Sequence, residues 1–272
     1  MKDLITIETV EASEFPQQLN SPLYSILLFE GETSLSVDLN EYSCQGKNLL
    51  FTSPYQLLSW HRTTAKKVSL LRFHGDFYCI EYHKKEVACN GVLFNNIYQQ
   101  PFVKVPGPVF EEVSNIILKM KVLAAGVSRY DGQVLRSYLQ LILALGSKEK
   151  LLQNGEPRPG EIAGFQEVLE KQFRAAKDVA FYSGSFGLSV GAFSKKVKRQ
   201  YGKSPSKLIQ ERIVLEAKKL LHLTYKPVKE IAAELGFEDE FYFSRYFKKE
   251  VGVSPRKYRE DVGISIVAKL SR

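Results

Sequence analysis

The stretch IAAELGFEDEFYFSRYFKKEVGVSPRKYR, residues 231–259, predicts a short helix, a tight turn, a second helix and a basic tail. Gly236 stands where a chain that turns between two helices can need a positive φ, which glycine adopts without steric cost. Asp239 can then cap the second helix with its carboxylate. Within that helix Phe243 and Phe247 share one face, and the cationic side chains lie largely away from it. One face is therefore expected to pack, and the other to be available to a polyanion.

The same unit occurs twice in the sequence, because FSKKVKRQYGKSPSKL (193–208) aligns with FSRYFKKEVGVSPRKY (243–258). The identical pairs are Phe193/Phe243, Ser194/Ser244, Lys198/Lys248, Gly202/Gly252, Ser204/Ser254, Pro205/Pro255 and Lys207/Lys257. Apolar residues at helical spacing across 206–223 predict one connecting helix of about 17 residues, roughly 25 Å long. Two helices held at this separation could enter successive major grooves, about 34 Å apart, without requiring a dimer.

The net charge of the chain is concentrated in its C-terminal part. Residues 161–272 hold 22 of the 38 Lys+Arg and 14 of the 30 Asp+Glu, so they carry the whole net charge of +8. Residues 1–160 hold 16 of each and are neutral. A basic domain beside a neutral one suggests nucleic acid as the partner, although a solvated lysine-rich face would give the same count.

Length and composition indicate an ordered protein with two domains, since 272 residues with 44% hydrophobic residues can form two cores. The sequence has no apolar run near the roughly 20 residues of a membrane span, and its first 17 residues do not resemble a signal peptide. These features predict a cytoplasmic protein with no membrane partner. Cys44, Cys79 and Cys89 lack CxxC spacing and fit reduced thiols there.

Residues 23–105 contain short β-type runs, which are typical of a small barrel or sandwich. The runs are YSILLFE, SLSVDL, NLLFTS, VSLLRFHGDFYCIEY and GVLF, and the turns between them include 30–31, 40–41, 44–47, 53–54 and 90–91. Two helices are predicted next, at 109–125 and 129–145, as an antiparallel pair. The apolar face of the second could cover the barrel or form a dimer seam. The segment SKEKLLQNGEPRPGE that follows has the composition of a linker.

Residues 177–259 resemble the double helix-turn-helix domain of the AraC/XylS transcription regulators. The resemblance rests on EAKKLL in the connecting helix, on IAAELGFEDEFYFSRYFKK, which follows the family pattern IA..GF.D..YFSR.FKK, and on GVSPRKYR. The N-terminal part is similar, more weakly, to the family's cupin-like sensor barrel. The implied fold is α+β with two domains: a cupin-like β-barrel at 1–108, a helical dimerisation segment at 109–146, a linker at 147–160 and an all-α DNA-binding domain at 161–272.

The resemblance also implies a function and a set of partners. A regulator of this kind binds double-stranded promoter DNA, commonly as a homodimer and often as an activator, contacts RNA polymerase and senses a small-molecule effector. It is not an enzyme and needs no cofactor. Three alternatives remain: a dimeric regulator that works without an effector, a cupin-type enzyme fused to a DNA-binding domain, and an architectural protein that binds nucleic acid without sequence preference.

Side chains that would meet DNA are carried over from the family by position. Base-contact candidates are Ser189, Ser194 and Lys195 in the first unit and Glu240, Phe241, Tyr242, Ser244 and Arg245 in the second. Phosphate-contact candidates, which would set affinity and not sequence, are Lys198, Arg199, Lys248, Lys249 and Arg256.

Three of these residues have alternative roles. Glu240 could accept a hydrogen bond from cytosine N4, or it could only favour the helix N-terminus. Phe241 could contact a thymine methyl group, or it could pack. Arg245 could bind guanine through two hydrogen bonds, or it could form an ion pair or a phosphate contact.

The first unit departs from the family at three positions, since Ser183 stands where the family usually has alanine and two glycines follow. Gly184 and Gly191 lie at helical positions, where each costs up to about 1 kcal/mol relative to alanine, so the first unit should be the softer one. Gly191 also leaves no side chain at a position that faces the groove in the family.

The N-terminal domain contains candidates for an effector pocket but not for a metal site. The pocket candidates are Tyr24, Phe29, Trp60, His61 and Phe73. A metal-binding cupin needs His-x-His and a Glu on adjacent strands, and the four histidines, His61, His74, His83 and His222, do not provide that pattern. We therefore expect no metal and no cupin oxygenase activity.

Overall fold

The computed structural model describes residues 4–38, 40–78, 92–126, 130–154 and 162–264. The chain divides into two compact units. The N-terminal unit comprises Met1–Asn96 and Gln100–Gly155, and the C-terminal unit comprises Ile97–Gln99 and Glu156–Arg272. The first contains the strands and the second is helical, so the α+β two-domain fold class is confirmed.

Nine strands of the N-terminal unit form two antiparallel sheets among the described residues. The strands are β1 (Ile5–Glu11), β2 (Gln18–Leu19), β3 (Tyr24–Glu30), β4 (Thr33–Val37), β5 (Asn40–Cys44), β6 (Lys47–Thr52), β7 (Leu58–Thr63), β8 (Lys67–Phe73) and β9 (Phe102–Lys104). The larger sheet has the order β1-β8-β3-β6-β9, and the smaller sheet has the order β2-β7-β4-β5.

The central strand β3 explains how the layers are stacked. Ile26 and Leu28 lie in one buried cluster, with side chains of two helices, whereas Leu27 and Phe29 lie in a second, with side chains of the smaller sheet. Successive residues of a strand point to opposite faces, so this continuous apolar run is buried on both sides. The unit therefore has three layers: helices, larger sheet and smaller sheet.

Several strands differ from the predicted ones. β1, β2, β7 and β9 were not predicted, and each is held by pairing with a strand distant in sequence, as when all seven residues of β1 pair with β8. The predicted turn at 40–41 lies inside β5, because the chain already turns at Asp38, which has φ 56°. The predicted turn at 44–47 is confirmed, since it joins β5 to β6 and Gly46 has φ 79°. In the predicted strand GVLF, Leu93 and Phe94 are buried core residues outside the nine strands; residues 79–91 lie outside the described residues.

Two helices cover the larger sheet: α1 (Gly107–Ala124) and α2 (Asp131–Asn154). Leu135, Leu139 and Ile142 of α2 are buried in the same cluster as the sheet, so the apolar face of this helix covers the barrel. α2 ends nine residues later than predicted, because Lys150 donates hydrogen bonds to the carbonyls of Gln100 and Phe102 and attaches the last turns of the helix to the sheet. Residues 147–154 of the predicted linker are thus helical, and 155–160 lie outside the described residues.

Seven helices are described in the C-terminal unit. They are α3 (Phe165–Gln172), α4 (Val179–Ser185), α5 (Val190–Tyr201), α6 (Pro205–Leu223), α7 (Val228–Glu234), α8 (Glu240–Val251) and α9 (Pro255–Val262). Across the described parts of both units, no helix has the length and apolar character required to span a membrane.

Candidate nucleic-acid interface

Two helix-turn-helix units occur in the C-terminal unit, α4 with α5 and α7 with α8. In each, a glycine with positive φ makes the turn: φ is 62° at Gly187 and 70° at Gly236. The expectation for Gly236 is confirmed. A side chain on this left-handed backbone would meet the following carbonyl, which is why glycine is found there.

The second helix of each unit begins at a side-chain cap. Ser189 accepts a hydrogen bond from the amide of Ala192 at 3.3 Å. The carboxylate of Asp239 accepts from the amides of Phe241 at 3.1 Å and Tyr242 at 2.7 Å, as predicted. Because a capping group satisfies amides that have no partner inside the helix, it fixes where α5 and α8 begin.

The repeat Gly-x-Ser-Pro ends one helix and begins the next in both units. Gly202 and Gly252 close α5 and α8 in the left-handed conformation, at φ 72° and 86°. Ser204 and Ser254 then cap α6 and α9. The two units therefore share their helix boundaries as well as their sequence.

One face of each 12-residue helix is buried. In α8 this face consists of Phe243, Phe247 and Val251, and in α5 it includes Phe193 and Val197. Residues at i, i+4 and i+7 on the opposite face form what we call the outer stripe. The outer stripe is Phe241, Arg245 and Lys248 in α8, and Gly191, Lys195 and Lys198 in α5; all six residues are exposed.

The structure brings most of the predicted DNA-contacting residues to the surface of α5 and α8. Ser189, Lys195, Lys198, Arg199, Phe241, Tyr242, Arg245, Lys248, Lys249 and Arg256 are exposed, while Ser194, Glu240 and Ser244 are half-buried. Within the described ranges, no hydrogen bond or ion pair engages the side chains of Lys195, Lys198, Arg245, Lys248 or Lys249. These cations are therefore available to an external anion.

Two of the candidates, Ser189 and Arg256, have partners within the protein, and a third, Glu240, lines a groove. The hydroxyl of Ser189 already accepts the capping hydrogen bond of α5. Arg256 forms an ion pair with Glu260 at 3.0 Å, although its side chain is 87% exposed. Glu240 lies on a groove that it shares with Ser244 and the first turn of α9. A phosphate contact by Arg256 would therefore compete with a weak surface ion pair.

The connecting helix α6 has a buried carboxylate that the sequence analysis missed. Glu216 is only 5% exposed and binds Arg174 at 2.6 Å and Arg212 at 3.0 Å. Burial alone would raise the pKa of Glu216, but Arg212, Lys219 and Arg174 outweigh it and lower the pKa. An acidic residue within an apolar helical stripe was the available sequence signal. This cluster attaches residues 173–174 to the helix that joins the two units.

A second missed contact joins the segment before α4 to the turn of the second unit. Lys177 donates to the carbonyl of Gly236 at 2.7 Å and to that of Arg174 at 3.1 Å, and its ammonium lies 4.7 Å from the ring centre of Phe237. Burial lowers the pKa of Lys177. The turn before α8 is thus held by residues outside its own helix-turn-helix unit. The turn of the first unit has no such neighbour at Gly187, because a Cβ built there would meet no atom within 4 Å.

The predicted effector-pocket residues are not brought together. Tyr24 and Phe73 stack at 5.3 Å in the cluster between sheet and helices, whereas Phe29 and Trp60 meet edge to face at 5.0 Å in the cluster between the sheets. The larger sheet separates the two pairs, so they cannot line one cavity. His61 is exposed, and its Nε2 lies 3.1 Å from the hydroxyl of Ser36.

The described residues contain no group of three or more His, Cys, Asp and Glu side chains that could hold a metal ion. Cys44 is buried, its thiol donates to the carbonyl of Thr33 at 3.6 Å, and burial raises its pKa to about 11. This thiol is therefore protonated and unreactive at neutral pH. Cys79, Cys89 and His83 lie outside the described residues.

Comparisons with known proteins agree with this geometry. Residues 182–261 match a family described as a helix-turn-helix domain. The transcriptional activator RhaS of Escherichia fergusonii is 27% identical over 152 residues, 55% of this chain and 54% of the relative. RhaS of Klebsiella pneumoniae is 24% identical over 160 residues, 58% of this chain and 56% of the relative. The chain thus spans about half the length of the relatives it matches.

Some solved structures are similar to the C-terminal part of the chain, and others are similar over most of its length. The C-terminal domain of the response regulator yesN from Fusobacterium nucleatum is 30% identical, with a TM-score of 0.33, and covers 35% of this chain and 93% of its own. ToxT from Vibrio cholerae is 14% identical, with a TM-score of 0.42, and covers 96% of this chain and 98% of its own. The matched helix-turn-helix domain and the RhaS relatives support a transcription regulator of the AraC/XylS family.

Proposed function

We propose that the chain is a sequence-specific regulator that binds double-stranded promoter DNA through α5 and α8 and activates transcription. The observation that carries the proposal is the pair of outer stripes, presented by two capped helices of equal length and rich in cations that have no described partner. The connecting helix supports a two-groove geometry, because its 19 residues span roughly 28 Å. RhaS, the relative named above, is described as an activator.

Within this proposal, the candidates divide into residues that read bases and residues that bind phosphates. Arg245 is the best candidate for a bidentate hydrogen bond to guanine, because it lies at the middle of the outer stripe and its guanidinium has no partner among the described residues. Lys198, Lys248 and Lys249 lie nearer the ends of their helices and would contact phosphates. Arg199 and Arg256 would add to the phosphate contacts, and the serines and Tyr242 would complete the base contacts.

Selection of binding sites from random DNA, followed by titration at several salt concentrations, tests the proposal. The full chain should enrich a defined sequence and should bind it far more tightly than random DNA, with an affinity that falls steeply as salt rises. Equal affinity for both DNAs would favour the architectural alternative. Metal analysis of the purified chain addresses the enzyme alternative, because a cupin oxygenase would retain a metal ion.

We further propose that the regulator works as a homodimer through α1 and α2. The support comes from six apolar side chains that these helices leave exposed: Leu118, Val122, Val134, Leu141, Leu151 and Leu152. Sedimentation velocity should show a dimer that Val122→Glu weakens, since a carboxylate buried in an apolar interface is costly. A monomeric wild-type chain would exclude this interface. From the resemblance to the family we also propose that the regulator contacts RNA polymerase and acts in the cytoplasm. Transcription in vitro with purified polymerase tests the contact.

A small-molecule effector could bind inside the N-terminal unit. The support is Trp60, which is 8% exposed and whose indole N–H has no hydrogen-bond partner among the described residues. A buried donor without an acceptor is costly, and a ligand oxygen would relieve that cost. Because Trp60 is the single tryptophan of the chain, its fluorescence reports binding directly. A panel of aromatic acids such as naphthoate should change the emission if the site is real, and unchanged emission would argue against an aromatic ligand.

A further inference from the structure

The outer stripes of α5 and α8 have the same chemistry at two of their three positions. Lys195 in α5 corresponds to Arg245 in α8, and Lys198 corresponds to Lys248. At the first position the helices differ completely, because α5 has Gly191 where α8 has Phe241. The two helices therefore present similar charge but different apolar surface to a DNA groove.

Phe241 is held at the surface without packing. Its side chain is 76% exposed, the largest exposed fraction among the large hydrophobic residues that the structure describes. Phe237 contacts the rings of Tyr242, Phe243 and Tyr246, but no described ring stacks with Phe241. The backbone amide of Phe241 donates to the Asp239 carboxylate, so the backbone that carries this side chain is fixed in the first turn of α8.

A benzyl side chain has no hydrogen-bond donor or acceptor, so it cannot use the polar edges of the bases. In the major groove the apolar feature that distinguishes one base from the others is the 5-methyl group of thymine. We propose that Phe241 contacts the 5-methyl group of one thymine, and that the half-site under α8 is for this reason the more selective of the two. The inference rests on the proposed DNA-binding function and assigns a specificity to one helix of it.

The first helix lacks the corresponding contact. A Cβ built on Gly191 would meet no atom within 4 Å, so nothing from the described protein occupies the space that Phe241 fills in α8. The remaining members of the α5 stripe, Lys195 and Lys198, are flexible cations that suit phosphates as well as bases. The half-site under α5 should consequently tolerate more base changes.

Uracil substitution isolates the methyl group, because uracil differs from thymine only by its absence. The full chain is first used to select its binding site, and the half-site whose protection is weakened by Arg245→Ala is assigned to α8. Each thymine of both half-sites is then replaced singly by uracil, and binding is measured for the wild-type chain, Phe241→Ala, Phe241→Leu and Gly191→Ala. The last variant is the matched control, since it adds a methyl group at the equivalent position of α5.

One uracil in the α8 half-site should weaken binding by the wild type about fourfold, which corresponds to about 0.8 kcal/mol for one buried methyl group. Phe241→Ala should bind the thymine and uracil sites equally, whereas Phe241→Leu should keep part of the difference and Gly191→Ala all of it.

Three results would overturn the inference: no uracil effect in the α8 half-site, an uracil effect that survives in Phe241→Ala, or a larger effect in the α5 half-site. Failure of the proposed function is a separate outcome, since then no sequence would be enriched in the selection.

Discussion

The substitution Gly236→Ala tests whether the turn before α8 is held from outside its own unit. Gly236 has φ 70°, and a Cβ there would lie 2.2 Å from the carbonyl oxygen of Arg174 and 2.8 Å from Nζ of Lys177. Gly187→Ala is a matched control, because Gly187 has φ 62° but its Cβ would meet nothing within 4 Å. Both variants place alanine on a left-handed backbone, and only one adds a collision.

The expected magnitudes follow from these two terms. The left-handed conformation costs an alanine about 1–2 kcal/mol in either variant. The collision at Gly236 adds about 1–3 kcal/mol, as overpacking of a tight site generally does, because the backbone of residue 174 cannot give way like a flexible side chain. Gly236→Ala should therefore lower the free energy of unfolding by about 1–3 kcal/mol more than Gly187→Ala does.

Urea unfolding followed by far-UV circular dichroism measures the difference, and the fluorescence of Trp60 serves as an internal control. Trp60 belongs to the N-terminal unit, so its transition should not shift in either variant. Equal destabilisation by the two substitutions would refute the reasoning, since it would mean that residues 174–177 do not press on the turn. A shift of the Trp60 transition would show that the variants disturb more than the C-terminal unit.

Three further predictions follow from caps, charges and burial. Asp239→Ala should destabilise the C-terminal unit by about 1 kcal/mol, measured by urea unfolding, because two amides of α8 lose their acceptor; an unchanged midpoint would mean that water replaces the cap. Arg245→Ala should weaken binding to the selected DNA by about 1–3 kcal/mol and relax one base pair, whereas Lys248→Ala should weaken binding on every sequence and reduce its salt dependence; the same loss on all sequences for Arg245→Ala would make it a phosphate contact. Burial lowers the pKa of Lys150 to about 8 from 10.5, so the unfolded chain binds more protons between these values and stability should rise with pH there, by at most about 3 kcal/mol. Lys150→Met should lack this rise in Trp60-monitored unfolding, and parallel pH curves for the two proteins would contradict the lowered pKa.

The two helix-turn-helix units were predictable because their determinants are local. Gly236 at the turn and Asp239 at the cap act on residues within one helical turn of themselves, so the sequence defines them without knowledge of the rest of the chain. The apolar spacing of Phe243 and Phe247 likewise defines the buried face of α8, and with it the outer stripe on the opposite side.

Strand geometry explains why the predicted effector-pocket residues lie in two separate clusters. Tyr24 and Phe29 are five residues apart on one strand, and an odd separation places side chains on opposite faces of a sheet. The prediction that YSILLFE is a strand already places Tyr24 and Phe29 on opposite faces. Only the packing of the two sheets shows that Trp60 lies on the same side as Phe29.

Contacts between segments distant in sequence could not be predicted. β1 exists because it pairs with β8, more than fifty residues away, and α2 extends to Asn154 because Lys150 reaches the carbonyls beside β9. Lys177 is an ordinary charged residue in the sequence, and only the folded chain shows that it holds the turn at Gly236. Glu216 stands in an apolar helical stripe, but only the folded chain shows that Arg174, 42 residues away, is its partner.

The sequence alone therefore determined the repeat, the helix boundaries around it, the location of the charge and the two-domain fold class, since these depend on propensities and spacings within a few residues. The tertiary structure decided which strands pair and which aromatic residues share a core. It also decided how the turn of the second helix-turn-helix unit is held by residues that precede the first helix-turn-helix unit. The physical reason is that packing and hydrogen bonds between distant segments depend on chain geometry, which no local pattern encodes.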